Sequence, residues 1–112
     1  MQATVGRIVH YRLTSSDAAD ISRRRADFAA FNAAHRDAAG NEAGSFPGRS
    51  GHVGHFGNPA SEGDVCAAVV VAVFGNGEHV NLKVLLDGND DHWATSRPEG
   101  TSPGTWAWPP RA

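Results

Sequence analysis

Residues 64–86 read DVCAAVVVAVFGNGEHVNLKVLL, and this stretch decides the fold. Two runs rich in β-branched residues flank Gly75-Asn76-Gly77, and an Asn-Gly pair between such runs is a strong short-range signal of a β-hairpin. The first run is almost continuously apolar, which is typical of a central strand covered on both faces. The second run alternates apolar and polar residues, which indicates one wetter face. The sequence therefore predicts a central antiparallel hairpin.

Shorter patterns on either side of the hairpin predict the other strands. Residues 5–13, VGRIVHYRL, alternate apolar and charged residues in a way that is typical of a β-strand, and we predict the first strand here. Residues 87–91 are a polar turn that precedes a short strand over 92–96. Residues 105–108 form an extended segment in which two tryptophans, two positions apart, point to one face.

A helix is predicted between the first strand and the hairpin. Thr14, Ser15 and Ser16 supply hydroxyl caps, and Asp17 and Asp20 supply negative charge in the first turn. The helix is expected to run to about residue 36, and its thin apolar stripe is formed by Ala18, Ile21, Phe28 and Phe31. A helix with so thin a stripe has to dock on a larger element.

The segment from Gly40 to Gly63 contains seven glycines and two prolines and has no apolar period, so it is predicted to be a loop. Loops of this length in compact domains are usually functional or disordered. Together the patterns predict one domain over residues 1–112, mainly β with one helical insertion (α+β). The strands form a small curved antiparallel sheet or an SH3-like five-strand barrel, with the helix and loop inserted at about residues 14–63.

Composition excludes several classes of function. The 112 residues carry a formal net charge of -2, so non-specific binding to nucleic acid is not expected. Cys66 is the single cysteine and cannot form an internal disulfide, and the apolar run over 65–74 is too short for a membrane span. No charged-then-apolar leader opens the sequence, so a cytoplasmic protein without a membrane partner is expected.

The charge is divided unequally along the chain. Residues 1–50 carry seven Arg and five acids, whereas residues 51–112 carry three basic residues and seven acids. This asymmetry favours a local anion site or self-association through complementary patches, so a homo-oligomer is expected.

Two patterns are reminiscent of metal sites but do not predict one. His52-x-x-His55 lacks a motif that supplies the further ligands zinc needs. Asp87-x-Asn89-x-Asp91 begins as a calcium loop does, but His92 and Pro98 stand where glycine and a bidentate glutamate belong. No metal, no cofactor and no hydrolase motif are predicted, so the chain is not expected to be an enzyme.

The glycine-rich loop is the feature with most functional content, because glycine backbones can surround an anion. Its donors to phosphate are expected to be Arg49, Ser50, His52, His55 and Asn58, with Arg24 adding charge from the helix. Acceptors for a ribose or base edge are expected at Asp87, Asn89 and Asp90. Trp106 or Trp108 is expected to stack on the ligand, and Arg97 beside Trp93 is expected to complete a polar rim.

Four strings carry a family resemblance: GRIVHY at 6–11, NPASEGDV at 58–65, VNLKVLLDGNDDHWATSR at 80–97 and PGTWAWPP at 103–110. The chain resembles a group of small accessory proteins of actinobacteria and their phages. That resemblance implies a one-domain accessory protein found near mobile or viral genes, and it assigns no activity. Small phage proteins without catalytic motifs often act against host defence by binding a host protein or by sequestering a signalling nucleotide, so an anti-defence role in the host cytoplasm is expected.

Two function hypotheses therefore stand. The first is a non-enzymatic binding protein that captures a small anionic, nucleotide-type ligand. The alternative is a module for protein-protein interaction or self-assembly that has no small-molecule ligand.

Overall fold

A computed structural model describes residues 2–34 and 55–111, together with the side chains of all of these except 31–34. The strands are β1 (Ile8–Arg12), β2 (Val65–Phe74), β3 (His79–Leu85), β4 (Asp91–Pro98) and β5 (Trp106–Ala107), and the helix is α1 (Ser15–Ala34). The strands form one sheet in the order β4-β3-β2-β1-β5, and every pairing between them is antiparallel. The prediction of a mainly β, α+β domain with a small curved sheet is confirmed.

The sheet curls into a half-barrel. A bulge lies between Val70 and Ala72 in β2, and the register of β3 with β4 shifts between Val80 and Leu82, where β4 has the extra residue. Bulges increase the local twist of a sheet, and these two flank the same part of β3. At the far end Glu99 forms a bridge with Trp106, and the Gly100 amide donates to the Trp106 carbonyl at 2.9 Å, so β4 and β5 approach each other.

The hairpin of β2 and β3 is confirmed with its predicted turn. Gly75 and Gly77 have φ values of 61° and 87°, a region that glycine enters without steric cost. The central place of β2 in the sheet is also confirmed. Its expected cover on both faces is wrong, because Val65 and Val71 are 48% and 40% exposed. The single helix packs on the inner face of the sheet, and nothing in residues 2–34 or 55–111 covers the outer face there.

The core lies between the inner face of the sheet and α1. Its largest fully buried side chains are Trp106, Tyr11, Leu13, Ile21 and Leu82. Ile21 comes from the helix, so the predicted apolar stripe docks on the sheet as expected, with Ala18 and Phe28 also buried. In the first strand the buried residues are Val9 and Tyr11, whereas Val5 and Ile8 are exposed.

The helix begins with a capping box at the predicted residues. The Asp17 amide donates to Thr14 Oγ1 at 2.9 Å, and the Thr14 amide donates to Asp17 Oδ2 at 3.0 Å. Within residues 2–34 and 55–111 there is no helix long and apolar enough to cross a membrane.

Candidate functional site

The end of the glycine-rich segment is fixed between the helix and the turn that follows β3. Arg25 Nη2 on α1 donates to Asp90 Oδ1 at 2.9 Å, and Arg25 Nη1 donates to the Asn58 carbonyl. The Asn58 amide in turn donates to the Asp87 carbonyl at 2.8 Å. Arg25 therefore joins three elements that are far apart in the sequence.

Two glycines make this approach possible. Gly57 and Gly88 form an isolated antiparallel bridge, flanked by the hydrogen bond from the Asn89 amide to the Phe56 carbonyl at 3.0 Å. A Cβ on Gly57 would lie 2.4 Å from the Asp87 carbonyl oxygen, and a Cβ on Gly88 would lie 2.5 Å from the Phe56 carbonyl oxygen. At these two positions glycine permits backbone contact between segments.

Beside this junction lies a cavity of about 260 Å³, which we call the Asn58 cavity. It opens between α1, the segment after Asn58 and the adjoining ends of β2 and β3. The apolar part of its lining consists of Leu13, Pro59, Ala60, Val65, Cys66 and Leu86. The polar part consists of Arg25, Asn58, Asp64 and Asp87. An apolar cleft with a few convergent polar groups is the usual form of a small-molecule site.

The charge in the cavity is set by carboxylates. Arg25 is the single basic side chain among the described lining residues, and Asp90 already neutralises it through a side chain that is only 3% exposed. Burial by itself raises the pKa of Asp90, but hydrogen bonding and charge from Arg25, with the charge of Arg24, outweigh it and hold that pKa below its ordinary value. Asp64 and Asp87 leave the lining with an excess of acceptors, so it favours a ligand that donates hydrogen bonds.

Cys66 is a poor nucleophile in this position. Burial, and then the negative charge of Asp64, raise the pKa of the Cys66 thiol, so the thiolate is disfavoured. The cavity therefore combines polar recognition groups with no activated attacking group among the residues described.

A second polar cluster lies inside the barrel around Asp17, which is 4% exposed. The Tyr11 hydroxyl donates to Asp17 Oδ2 at 2.5 Å, and His92 Nε2 lies 3.0 Å from Asp17 Oδ1. Arg97 Nη2 lies 3.6 Å from the same oxygen, and the Arg97 guanidinium sits 5.7 Å from the centre of the Tyr11 ring. This network joins the helix N-terminus to β1 and β4.

The pKa values of two groups in this network, Asp17 and Tyr11, shift in opposite directions. Burial raises the pKa of Asp17, but hydrogen bonds from Thr14, Tyr11 and His92 outweigh it and lower that pKa overall. Burial, and then the hydrogen bond and charge of Asp17, raise the pKa of Tyr11 above its usual value of 10. Both groups thus hold the protonation states that support the hydrogen bond between them.

The structure brings together about half of the predicted site residues. The ones around the junction are Arg24, His55, Asn58, Asp87, Asn89 and Asp90. Most of them bind each other: Asn58 Nδ2 donates to Asp87 Oδ2 at 2.7 Å, and the Phe56 amide donates to Asn89 Oδ1 at 2.9 Å. Arg49, Ser50 and His52 lie outside the residues described.

The stacking role expected for Trp106 is wrong, whereas the ligand roles of Trp93, Arg24 and Arg97 stay predictions. Trp106 is 1% exposed and its indole donates to the Arg97 carbonyl at 3.1 Å, so its ring has no free face on which a base can stack. Trp93 is exposed, but on the outer face of the sheet and away from the Asn58 cavity. Arg24 Nη2 lies 3.7 Å from Asp90 Oδ2, and Arg97 Nη2 lies 3.6 Å from Asp17 Oδ1. Both arginines therefore already have an acidic partner.

The predicted polar turn has a structural use. Asp87 and Asn89, the first two positions of the calcium-like pattern, bind Asn58 and the Phe56 amide. Among residues 2–34 and 55–111, no three His, Cys, Asp or Glu side chains converge as metal ligands do.

Sequence reasoning missed Arg25, Asp64, Cys66 and Leu86 as lining residues and missed the Asp17 network. Asp17 carried a local signal, because it follows Thr14 at capping-box spacing. Arg25 carried no sequence signal that distinguishes it from the neighbouring arginines. Arg23 Nη2 lies 2.8 Å from Asp20 Oδ1 on the exposed surface of the helix, whereas Arg25 points to the sheet and binds Asp90.

Comparisons with family models, with curated proteins and with solved structures found no match for this chain. Over residues 2–34 and 55–111 the chain is a small half-barrel sheet with one helix, and the Asn58 cavity lies beside that helix.

Proposed function

We propose that this chain is a non-enzymatic binding protein whose Asn58 cavity holds a small ligand that donates hydrogen bonds. The observation that carries this proposal is the lining itself. An apolar floor at Leu13, Cys66 and Leu86 lies beside acceptors on Asn58, Asp64 and Asp87. Apolar enclosure supplies affinity and the few polar groups supply orientation.

The size of the cavity limits the ligand. At about 260 Å³ it falls just below the roughly 300 Å³ at which pockets for drug-sized ligands begin. A nucleobase or a nucleoside suits this volume better than a complete nucleotide. The exocyclic amine of a base supplies the donors that the carboxylates of Asp64 and Asp87 would accept.

A binding role agrees with the chemistry of the nearby groups. A general base must reach the proton that it removes, but Asp17 is buried and already accepts hydrogen bonds from Tyr11 and His92. The raised pKa of Cys66 opposes nucleophilic attack by the one thiol in the cavity. Each of these groups supports binding without turnover.

The sequence also predicts sequestration of an anionic, nucleotide-type signal in the cytoplasm of a phage host, and in that case the acidic Asn58 cavity would hold only the uncharged base or nucleoside part of the signal. Among the described residues, its support is the position of Asn58 and Asp87, both predicted ligand contacts, at the cavity wall. The expected phosphate contacts of Arg49, Ser50 and His52 stay predictions from the sequence.

A ligand panel tests the proposal. Nucleosides, nucleoside monophosphates and cyclic nucleotides are titrated by calorimetry into the full chain and into Ala60→Leu, which fills the cavity. At least one compound should bind the unaltered chain, and Ala60→Leu should weaken it by about tenfold or more, since a steric cost of about 1.4 kcal/mol has that effect.

The matched control is Ala67→Leu, the same enlargement at an exposed position of β2 outside the cavity. It should bind the same compound with unchanged affinity. Absence of binding across the panel, or equal binding by Ala60→Leu, would contradict a ligand in the Asn58 cavity.

One observation favours a second candidate function, self-association. Ile8, Val69, Lys83 and Trp93 lie in register as one row across β1 to β4 on the outer face. Ile8 and Trp93 are 56% and 60% exposed, and Leu85 and Val65 on the same face are also exposed. The occupant we assign to this face is a second copy of the chain.

The charged residues of the outer face are compatible with a second copy of the chain at this face. Lys83 Nζ and Asp91 Oδ1 are 3.9 Å apart on this face, so a two-fold contact can place the lysine of one copy against the aspartate of the other. Light scattering should detect dimers that Trp93→Ser removes. A monomer at all concentrations would reject self-association, with the outer face then left to a different partner such as a host protein.

A further inference from the structure

A second, smaller pocket of about 130 Å³ lies where β1 meets β5, and we call it the Arg12 pocket. Its lining includes His10, Arg12, Gly100, Thr105, Trp108 and Pro110. Among the described residues its lining has two basic side chains and no carboxylate, which is the reverse of the charge in the Asn58 cavity.

Arg12 is available to a ligand. Among the described residues, the ion pairs of arginine belong to Arg23, Arg24, Arg25 and Arg97, whereas Arg12 has an exposed side chain and forms none. Val65 lines this pocket as well as the Asn58 cavity, and the carboxylate next to it in the sequence is that of Asp64. That carboxylate accepts a hydrogen bond from the Ser61 amide at 2.9 Å and lines the Asn58 cavity.

The walls of the pocket are held by backbone hydrogen bonds. The Arg12 amide donates to the Thr105 carbonyl at 3.1 Å, and the Gly104 amide donates to the Arg12 carbonyl at 2.8 Å. The Gly100 amide donates to the Trp106 carbonyl, and Thr105 Oγ1 donates to the Ser102 carbonyl at 2.6 Å. The backbone that carries Arg12 and the pocket walls is therefore already ordered, so binding does not have to order it.

From this geometry we propose that the Arg12 pocket binds one small anionic group, a phosphate or a carboxylate. The site is separate from the Asn58 cavity and goes beyond the function proposed above. Arg12 presents a planar fork of N–H donors that matches either anion, and His10 adds a ring N–H. A volume equal to about four waters admits such a group but not a nucleobase with its sugar.

Nuclear magnetic resonance of the uniformly labelled full chain tests this site with two probes, inorganic phosphate and acetate, each against sodium chloride at matched ionic strength. The amides of Gly100 and Thr105 should shift in a saturable manner with at least one probe and not with chloride. The probe that saturates identifies the anion as phosphoryl or carboxylate.

Two variants tie the response to the proposed groups. Arg12→Gln should weaken binding by about tenfold or more through loss of a charge-assisted contact, and His10→Gln should weaken it less. Arg7→Gln is the matched control, because Arg7 is also exposed beside β1 but does not line the pocket. It should bind as the unaltered chain does.

The inference is overturned if neither probe gives a saturable shift, or if Arg12→Gln and Arg7→Gln lose the same affinity. A failure here is distinguishable from a failure of the Asn58 cavity. Nucleosides are read at the amides of Asn58 and Cys66, which line the Asn58 cavity and not the Arg12 pocket.

Discussion

At the scale of single residues, Asp17 has the most partners. Its carboxylate completes the helix cap, accepts a hydrogen bond from the Tyr11 hydroxyl and lies close to the side chains of His92 and Arg97. A buried carboxylate is tolerated only when it is fully hydrogen-bonded. Each partner of Asp17 is therefore expected to contribute to stability.

Replacing Tyr11 with phenylalanine tests one of these contacts. Tyr11→Phe keeps the buried ring but removes a donor to a charged acceptor, so the free energy of unfolding should fall by about 1–3 kcal/mol. Thr95→Val, which removes an exposed hydroxyl on β4, should change it by less than about 0.5 kcal/mol. Chemical denaturation measures both, and equal stabilities would show that the Tyr11 hydroxyl contributes nothing.

Tyr11 is the only tyrosine, so its ionisation can be followed directly by ultraviolet absorbance. Its pKa is raised in the folded state, so the stability it contributes is complete below the ordinary value of 10 and is lost as pH rises towards the folded value. Tyrosinate should therefore appear together with loss of the β-sheet circular dichroism. A tyrosinate signal that appears near pH 10 while the chain is still folded would contradict the burial of this hydroxyl.

At the scale of elements, two carboxylates fasten the helix to the sheet. Asp17 lies at the start of α1 and faces β4, whereas Asp90 lies beside β4 and binds Arg25 in the middle of α1. Both have a pKa below the ordinary value of 3.8, so the stability they contribute is complete above that value.

Acid should release this attachment. As pH falls through the lowered pKa values, Asp17 and Asp90 take up protons and the free energy of unfolding should decrease. Denaturation at a series of pH values should show a shallower decrease for Asp90→Asn. Asp20→Asn, which affects only an exposed pair with Arg23, should follow the unaltered chain. Parallel curves for all three would exclude Asp90 as a source of the acid dependence.

The contact between the glycine-rich segment and the turn after β3 makes its own prediction. Gly88→Ala places a Cβ 2.5 Å from the Phe56 carbonyl oxygen, so the bridge to Gly57 should open. Hydrogen exchange of the Asn58 and Asn89 amides, both bonded across this junction, should accelerate. Gly100→Ala is the control, because its new Cβ meets only the Thr105 side chain at 3.1 Å. Unchanged exchange in Gly88→Ala would show that the junction does not depend on the glycine pair.

At the scale of the whole molecule, local patterns predicted the elements, and contacts between distant segments decided the site. The Gly75-Asn76-Gly77 turn and the Thr14 cap depend on neighbours in sequence, so both were predicted correctly. The junction of Arg25, Asn58 and Asp90 joins residues more than thirty positions apart, as does the bridge of Gly57 and Gly88. No periodicity encodes such contacts, and Gly57, one of the glycines expected to surround an anion, permits backbone packing.

The Asn58 cavity is the central claim, and nucleoside titration followed by amide chemical shifts tests it most directly. Adenosine, cytidine and guanosine carry an exocyclic amine, and purine riboside is the matched ligand without one. At least one of the three should shift the amides of Asn58, Asp64 and Cys66 and should bind more tightly than purine riboside. Shifts confined to other parts of the sheet, or no saturable shift with any of the three, would contradict a ligand site at the Asn58 cavity.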